Sequence, residues 1–180
     1  MKKKVRKNIP EILILLGFIS LIIAIGLLIG NVTQDYIEEK RVKQILEDAK
    51  NNPSNMEYDI IGILTIPKLD LKLPVLSNCN EELLSISVCR YIGSVEEKPE
   101  NLVIAGHNSK TCFKKLPKLV LGDEVRFTKL DGTNYYYTVT EIINIFEYEH
   151  EKLEKGEWNL TLFTCNSKGD ERILVRCLFI

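Results

Sequence analysis

An uncharged, apolar stretch near the N-terminus constrains this chain most strongly. Residues 12–34 (ILILLGFISLIIAIGLLIGNVTQ) contain no charged side chain, and Ile12 to Ile29 is almost wholly apolar. A helix needs about 20 such residues to cross the hydrocarbon core of a bilayer. We therefore predict a transmembrane helix over residues 12–31. A cleaved signal peptide is the alternative, but no Ala-x-Ala type of cleavage site follows the apolar run.

The basic charge of the chain is concentrated ahead of this helix. Residues 1–11 carry five Lys or Arg side chains against Glu11, a net +4, whereas the whole chain of 180 residues carries −1, so the remainder carries −5. The positive-inside rule places residues 1–11 in the cytosol and the chain beyond about residue 31 outside. The acidic balance of that larger part argues against nucleic-acid binding.

A polar segment separates the apolar stretch from the rest of the chain. We interpret residues 32–54 as a stalk or linker, within which Asp35 to Lys50 is predicted to be helical. A loose apolar stripe among the charges supports that prediction and consists of Ile37, Val42, Ile45 and Leu46. A disordered linker is the alternative.

Residues 55–180 consist of short β-prone runs divided by turn residues, so we predict one all-β domain, a barrel or a sandwich. The runs cover residues 61–67, 69–76, 101–106, 124–128, 134–146, 159–164 and 172–180. Short helices are predicted over residues 81–86 and 113–119. Pro74 lies inside the second run and favours an edge strand, because proline cannot donate to a β-ladder.

The chain has an odd number of cysteines, at positions 79, 89, 112, 165 and 177. At least one is therefore unpaired or pairs between chains. Their spacing contains no Cys-x-x-Cys pair, which gives a structural zinc site little support. In an exported chain, a free thiol indicates either a compartment that does not favour disulfides or a thiol kept for its reactivity.

Three side chains fall at predicted strand ends. Cys165 ends the run TLFTC and precedes a polar turn, and Arg172 begins the next run, so a tight hairpin would bring their side chains together. His107 follows the run NLVIAG. A thiolate nucleophile needs a nearby cation or histidine, and acyl transfer needs a donor for the oxyanion. Cys165, His107 and Arg172 therefore predict an acyl-transfer site if the three strand ends converge; a buried core cysteine is the alternative for Cys165.

Other residues of the same types compete less well for these roles. Cys177, on the opposite strand face, and Cys112, in a loop, are interpreted as structural or incidental. Cys112 lies only five positions from His107, so it is the one alternative nucleophile to test. Arg176 shares a strand face with Arg172 but lies farther from the turn. His150 lies in the charged segment EYEHEKLEKGE and is interpreted as a solvated loop residue.

Four short motifs in this order resemble those of sortases, over about residues 60–180. TLFTC resembles the TLxTC signature of that family, and VIAGHN resembles the segment around its histidine. GDERILVR resembles the strand that carries its arginine, and ILTIP resembles the opening strand. The resemblance implies a closed eight-stranded β-barrel with short helices, preceded by a transmembrane helix, in a surface transpeptidase of Gram-positive bacteria.

The resemblance also implies a mechanism. Cys165 would attack the Thr–Gly carbonyl of an LPxTG-like sorting signal and form a thioester. His107 would act as general acid and then as general base, and Arg172 would hold substrate carbonyls or the oxyanion. Thr164 and Ala105 are candidate substrate contacts. An amine of a cell-wall precursor would resolve the acyl-enzyme outside the membrane, with no cofactor required.

Departures from the family pattern favour a class A or class D-like member. Residues 51–60 lack the Asp-Pro-aromatic lid of pilin-polymerising class C enzymes, and no second span precedes Ile180. Residues 147–157 are too short for the helical insertion of class B. The same segment offers a calcium site, as in some class A members, although a solvated charged loop is the favoured alternative. Its carboxylates are Glu147, Glu149, Glu151 and Glu154.

Two other functions remain as alternatives. A cysteine endopeptidase would release the peptide to water rather than to an amine, since both compete for one acyl-enzyme. A membrane-tethered β-barrel that only binds a partner would have a buried, inert Cys165.

Overall fold

The computed structural model describes residues 9–51, 56–95, 100–154 and 156–180. Eight strands are present, and their bounds are β1 Ile60–Ile66, β2 Leu71–Leu76, β3 Val88–Ser94, β4 Glu100–Ala105, β5 Glu124–Lys129, β6 Asn134–Phe146, β7 Leu160–Cys165 and β8 Glu171–Phe179. The α-helices are α1 Ile9–Asn51, α2 Glu81–Leu84 and α3 Glu151–Glu154. Two 3₁₀ turns lie at Pro67–Leu69 and Phe113–Lys118.

The chain divides into two compact units, one ending at Ile37 and the other running from Glu38 to Ile180. In the first unit, the apolar side chains of α1 between Ile12 and Ile29 are exposed. Within the described residues, α1 is the one helix long and apolar enough to cross a membrane, with a mean hydropathy of 3.2 over its most apolar window. A helix that is apolar all round is typical of a membrane span. The predicted span 12–31 lies within α1, whereas residues 1–8 of the predicted cytosolic segment lie outside the described residues.

In the second unit, the last turns of α1 form part of the domain core. Val42, Ile45 and Ala49 are buried, and their spacing places them on one face of the helix. The helical prediction for this segment is therefore confirmed as far as Asn51, and residues 52–54 of the predicted stalk lie outside the described part. The domain bounds assigned from the sequence stay a prediction.

The eight strands close into a barrel in the order β1-β2-β3-β4-β7-β8-β6-β5, which excludes the sandwich alternative. The pairs β2–β3 and β4–β7 are parallel, and the other neighbours are antiparallel. Seven strands were predictable as β-prone runs, but β3 (VCRYIGS) was missed, because Arg90 and Gly93 interrupt its apolar pattern.

The prediction of an edge strand at Pro74 is wrong, because a closed barrel has no edge. Pairing of β2 with β3 starts only at Val75, so the missing N–H of Pro74 falls outside that ladder. The carbonyl of Pro74 accepts a bond from the Ser87 hydroxyl at 2.7 Å.

Side chains from all eight strands fill the barrel interior. On β7, Leu160 and Leu162 belong to this interior cluster, whereas Phe163 belongs to a second apolar cluster. That second cluster consists of Val103, Ala105, Ile145, Leu153, Phe163 and Leu174. Because side chains alternate along a strand, it lies on the outer face of β4, β7 and β8. The candidate site residues lie at the end of this outer face.

Candidate active site

Cys165 and Arg172 are direct neighbours across two strands. They form a residue pair of the antiparallel β7–β8 ladder, and the turn beyond them is closed by a bond from the Asn166 N–H to the Glu171 carbonyl at 2.8 Å. Cys165 is exposed, unlike the five preceding residues of β7, which are all buried. Side chains of directly opposed residues lie on the same face of a sheet, so the thiol and the guanidinium share one face.

His107 follows β4 at the same end of the barrel as Cys165. Ala105 on β4 pairs with Phe163 on β7 in parallel register, and the Gly106 N–H donates to the Phe163 carbonyl at 3.0 Å. His107 and Cys165 each lie two residues beyond that pair, and both are exposed. The parallel register thus brings the histidine-bearing and cysteine-bearing strand ends together.

The loop after His107 is held close to the barrel. The Phe113 N–H donates to the His107 carbonyl at 2.9 Å, and a Cβ added at Gly106 would lie 2.5 Å from Phe113 Cδ2 and 2.9 Å from Cys112 Sγ. Glycine is therefore required at position 106 by this close approach. The Thr111 hydroxyl also donates to Glu38 Oε2 at 2.8 Å, which ties the loop to α1 within the same compact unit.

The guanidinium of Arg172 lies over an aromatic ring. Its Cζ is 5.7 Å from the centroid of the Phe163 ring, and its Nη2 donates to Glu147 Oε1 at 3.3 Å. Its Nε is buried and has no hydrogen-bond partner among the described residues. Arg172 therefore has one N–H group without a protein partner in the described residues, on the strand that pairs with Cys165.

Phe163 and Tyr91 were missed by the sequence reasoning. The Tyr91 ring contacts the edge of the Phe163 ring, with centroids 5.4 Å apart and planes at 83°. The alternation of side chains along a strand would have identified Phe163, because it lies two residues before Cys165 and so shares its strand face. Tyr91 gave no comparable signal, since β3 itself was missed.

The two candidate substrate contacts are placed differently. Ala105 belongs to the outer cluster and pairs with Phe163, two residues before His107 and Cys165 on their strands. The Thr164 side chain is only 2% exposed, and alternation places it on the face opposite to Cys165. A substrate could therefore reach Thr164 only through its backbone.

The competing cysteines are buried. Cys112 and Cys177 both pack into the interior cluster, and burial raises the pKa of each thiol to about 12. Since the thiolate is the nucleophile, neither thiol is suited to attack a substrate.

The competing arginine and histidine have other roles. Arg176 is buried and stacks over Trp158, with its Cζ 3.6 Å from the ring centroid. It also donates to Glu141 Oε2 and to the Lys152 carbonyl, both at 2.6 Å. These bonds fix the connection between β6 and β7. His150 is exposed in that connection.

Two carboxylates of the acidic segment in this connection are bonded to other protein groups. Glu147 bonds to Arg172, and Glu149 accepts bonds from Lys152 Nζ at 2.5 Å and from the Phe146 N–H at 2.9 Å. The Lys152 ammonium and that N–H hold the pKa of Glu149 below its usual range. Of the carboxylates predicted there, the side chain of Glu154 lies outside the described residues. No group of three or more metal-ligating side chains occurs in the part of the chain that was described.

Comparison with known proteins agrees with this geometry. The model of the Sortase domain family matches residues 64–179. Sortase A of Bacillus anthracis is 27% identical over 141 residues, covering 76% of this chain and 66% of that protein. Sortase D of Bacillus subtilis (strain 168) is 30% identical over 137 residues, covering 71% of this chain and 66% of that protein. The matched region thus spans just under two thirds of each relative.

Solved structures share the fold. A Clostridium perfringens sortase D5 transpeptidase superposes with a TM-score of 0.64 at 21% identity, covering 81% of this chain and 99% of that one. Sortase A of Corynebacterium diphtheriae gives a TM-score of 0.61 at 22% identity, covering 87% of this chain and 95% of that one. The curated relatives represent both classes expected from the sequence, A and D. Because the family model covers most of the chain and the barrel matches solved members, this chain belongs to the sortase family.

Proposed function

We propose that this chain is a membrane-anchored cysteine transpeptidase that cleaves an LPxTG-like sorting signal and transfers the surface protein to a cell-wall amine. One observation carries the proposal. Cys165, whose thiol is exposed, is paired with Arg172 in the β7–β8 ladder. This pair lies at the end of the barrel where His107 follows β4.

Acylation forms a thioester. The Cys165 thiol gives its proton to His107 as its sulfur attacks the carbonyl carbon of the Thr–Gly bond, and the carbonyl oxygen becomes an oxyanion. The unpartnered Nε–H of Arg172 is a suitable donor for that oxygen or for a neighbouring substrate carbonyl. As the tetrahedral adduct collapses, the C–N bond breaks and His107 protonates the leaving glycine amine.

Deacylation reverses these roles. The acceptor amine attacks the thioester, His107 takes the amine proton, and the Cys165 thiolate leaves as the new amide forms. Ala105 and Phe163 form an apolar surface on the outer face of the barrel, on which an extended substrate can pack next to the reacting carbonyl. Phe163 also supports Arg172 from beneath through the contact of ring and guanidinium.

The membrane arrangement follows from charge and hydropathy. We infer that α1 spans the membrane with the basic N-terminus in the cytosol and the barrel on the cell-wall side. Sorting-signal proteins and the cell-wall amine would meet the enzyme there. We also propose that turnover requires no metal or cofactor. The Cys165 thiol supplies the nucleophile, His107 transfers the protons and Arg172 donates to the oxyanion, so each step above has its group.

The proposal is tested with the full chain in detergent micelles. It is incubated with a library of LPxTG-like peptides, with and without an amine acceptor, and Cys165 is examined by mass spectrometry. We expect an acyl adduct on Cys165 that passes to the amine. An adduct that only hydrolyses would favour the endopeptidase alternative. An unmodified Cys165 with every peptide would favour the binding module, although the exposure of Cys165 is contrary to the inert thiol which that hypothesis requires.

A further inference from the structure

Two cysteines outside the proposed acyl-transfer site lie next to each other. Cys89 is fully buried on β3, and its pairing partner on β2 is Leu76. Cys79 lies three residues after Leu76, in the connection between β2 and α2, and packs against the apolar cluster that contains Cys89. The Cys89 Sγ donates to the Ser87 carbonyl at 3.8 Å, and the Cys79 thiol is the neighbour that most strongly raises the pKa of Cys89. The two thiols therefore adjoin within one apolar cluster of the domain.

The connection that carries Cys79 is held at both ends. Arg90 Nε donates to the Ser77 carbonyl at 2.9 Å, which ties the start of the connection to β3. The Asn80 side chain accepts the Leu83 N–H at 2.8 Å and caps α2. These two bonds hold the residues on either side of Cys79 in place.

Only one of the two thiols can be reached from solvent. Cys79 is half-buried and lines an open cavity of about 430 Å³, whose other lining residues are Ser77, Asn78, Arg90, Tyr91, Ile92 and Gly93. The cavity admits a small reagent to Cys79, whereas Cys89 lies behind it. This is the arrangement of an attacking thiol and a resolving thiol.

The two thiols differ in pKa. The neighbouring Cys89 lowers the pKa of Cys79, while Cys79 and burial raise the pKa of Cys89. The accessible thiol therefore has the greater thiolate fraction of the pair.

We propose that Cys79 and Cys89 form a dithiol site that closes to an intramolecular disulfide by exchange with an external disulfide. The co-reactant is a small or protein disulfide, which accepts two electrons and becomes two thiols. This site goes beyond the proposed transpeptidase function and does not depend on it, because neither thiol takes part in acyl transfer.

The exchange balances in two steps. The Cys79 thiolate attacks one sulfur of the external disulfide, which forms a mixed disulfide and expels one thiolate. The Cys89 thiolate then attacks the Cys79 sulfur, which forms the Cys79–Cys89 bond and expels the second thiolate. The protons lost by the two cysteines pass to the two expelled thiolates. The product fixes the β2–α2 connection to β3, beside the Tyr91 ring that contacts Phe163.

The experiment uses the full chain in detergent micelles, with Cys165→Ala to remove the other exposed thiol. The protein is treated with oxidised glutathione, alkylated with iodoacetamide in denaturant and digested without reduction. Trypsin leaves both cysteines in one peptide, Leu73 to Arg90, because no Lys or Arg lies between them. A Glu-specific protease cuts after Glu81 and Glu82, between the cysteines, so a disulfide then appears as two linked peptides.

We expect the linked pair after glutathione treatment and the loss of two hydrogen masses from the unalkylated tryptic peptide. Dithiothreitol should restore two alkylated cysteines. Cys79→Ser should abolish the linkage and leave Cys89 alkylated. This variant is preferred to Cys89→Ser because Cys79 is only half-buried, so its replacement perturbs the core less. Glutathione retained on Cys79 with Cys89 alkylated, a bond from either cysteine to Cys112, or no reaction would each overturn the proposal.

Discussion

Cys165 and Arg172 are opposed residues of the β7–β8 ladder, so backbone pairing rather than loop conformation sets the approach of the guanidinium to the thiol. A strand pair is a rigid support for a site whose donor must meet a reacting carbonyl.

The identity of the nucleophile gives the first prediction. Cys165→Ala should abolish turnover and the acyl adduct, because no other exposed thiol lies at this end of the outer face among the described residues. Cys112→Ala and Cys177→Ala should keep most activity, since both thiols are buried with a pKa near 12. Peptide cleavage followed by chromatography measures all three. Loss of the adduct in Cys112→Ala, with the melting temperature unchanged, would point to the wrong nucleophile.

The two histidines should behave differently. His107→Ala should lower kcat/KM by about 10²–10⁴, the usual worth of a positioned general acid–base group. His150→Ala is the matched control and should leave turnover near that of the parent, because His150 is exposed in the β6–β7 connection. Equal losses in both variants would contradict the assignment of His107.

The two arginines of β8 separate catalysis from stability. Arg172→Ala should lower kcat/KM by about 10²–10³, as expected for an oxyanion donor, with little change in melting temperature. Arg172→Lys should recover little, because lysine lacks the fork of N–H donors. Arg176→Ala should instead lower the free energy of unfolding by about 2 kcal/mol, since it loses bonds to Glu141 and Lys152 and the stacking on Trp158. Thermal unfolding and steady-state kinetics on the same samples distinguish the two; a stable, fully active Arg172→Ala protein would exclude the proposed role.

Gly106 should be intolerant of even one added carbon. Gly106→Ala places a Cβ against Phe113 and Cys112, and overpacking of this kind typically costs about 1–3 kcal/mol. The loop that carries His107 should shift, so turnover should fall as well. The double variant with Phe113→Leu should lose less stability than the sum of the two single variants, because the shorter side chain relieves the clash. Additive losses in this cycle, measured by denaturant unfolding, would show that the contact is not limiting.

Calcium removal should leave turnover unchanged. The carboxylates of Glu147 and Glu149 already bond to Arg172, Lys152 and the Phe146 N–H. A chelator-treated sample and one supplied with calcium should therefore give the same kcat/KM. A calcium-dependent rise that disappears in Glu149→Gln would show that the segment rearranges around the ion.

Much of the fold was predictable from local signals. Alternating β-prone runs and turn residues indicated seven strands, and the apolar stretch before Asp35 indicated the membrane helix. Two errors have one cause. β3 was missed and Pro74 was assigned to an edge, because both judgements treat a strand by itself, whereas barrel closure supplies each strand with two neighbours.

The sequence by itself determined the residue types of the proposed chemistry, their order along the chain and their places at strand ends, because strand and turn preferences act over a few residues. Only the tertiary structure decided which of these strand ends meet. The parallel β4–β7 register brings the strand end before His107 next to the strand end of Cys165, although 58 positions separate the two residues in the numbering. It also placed Cys79 against Cys89 and stacked Arg176 on Trp158 rather than at the site. Such contacts depend on closure of the whole barrel, which no local pattern encodes.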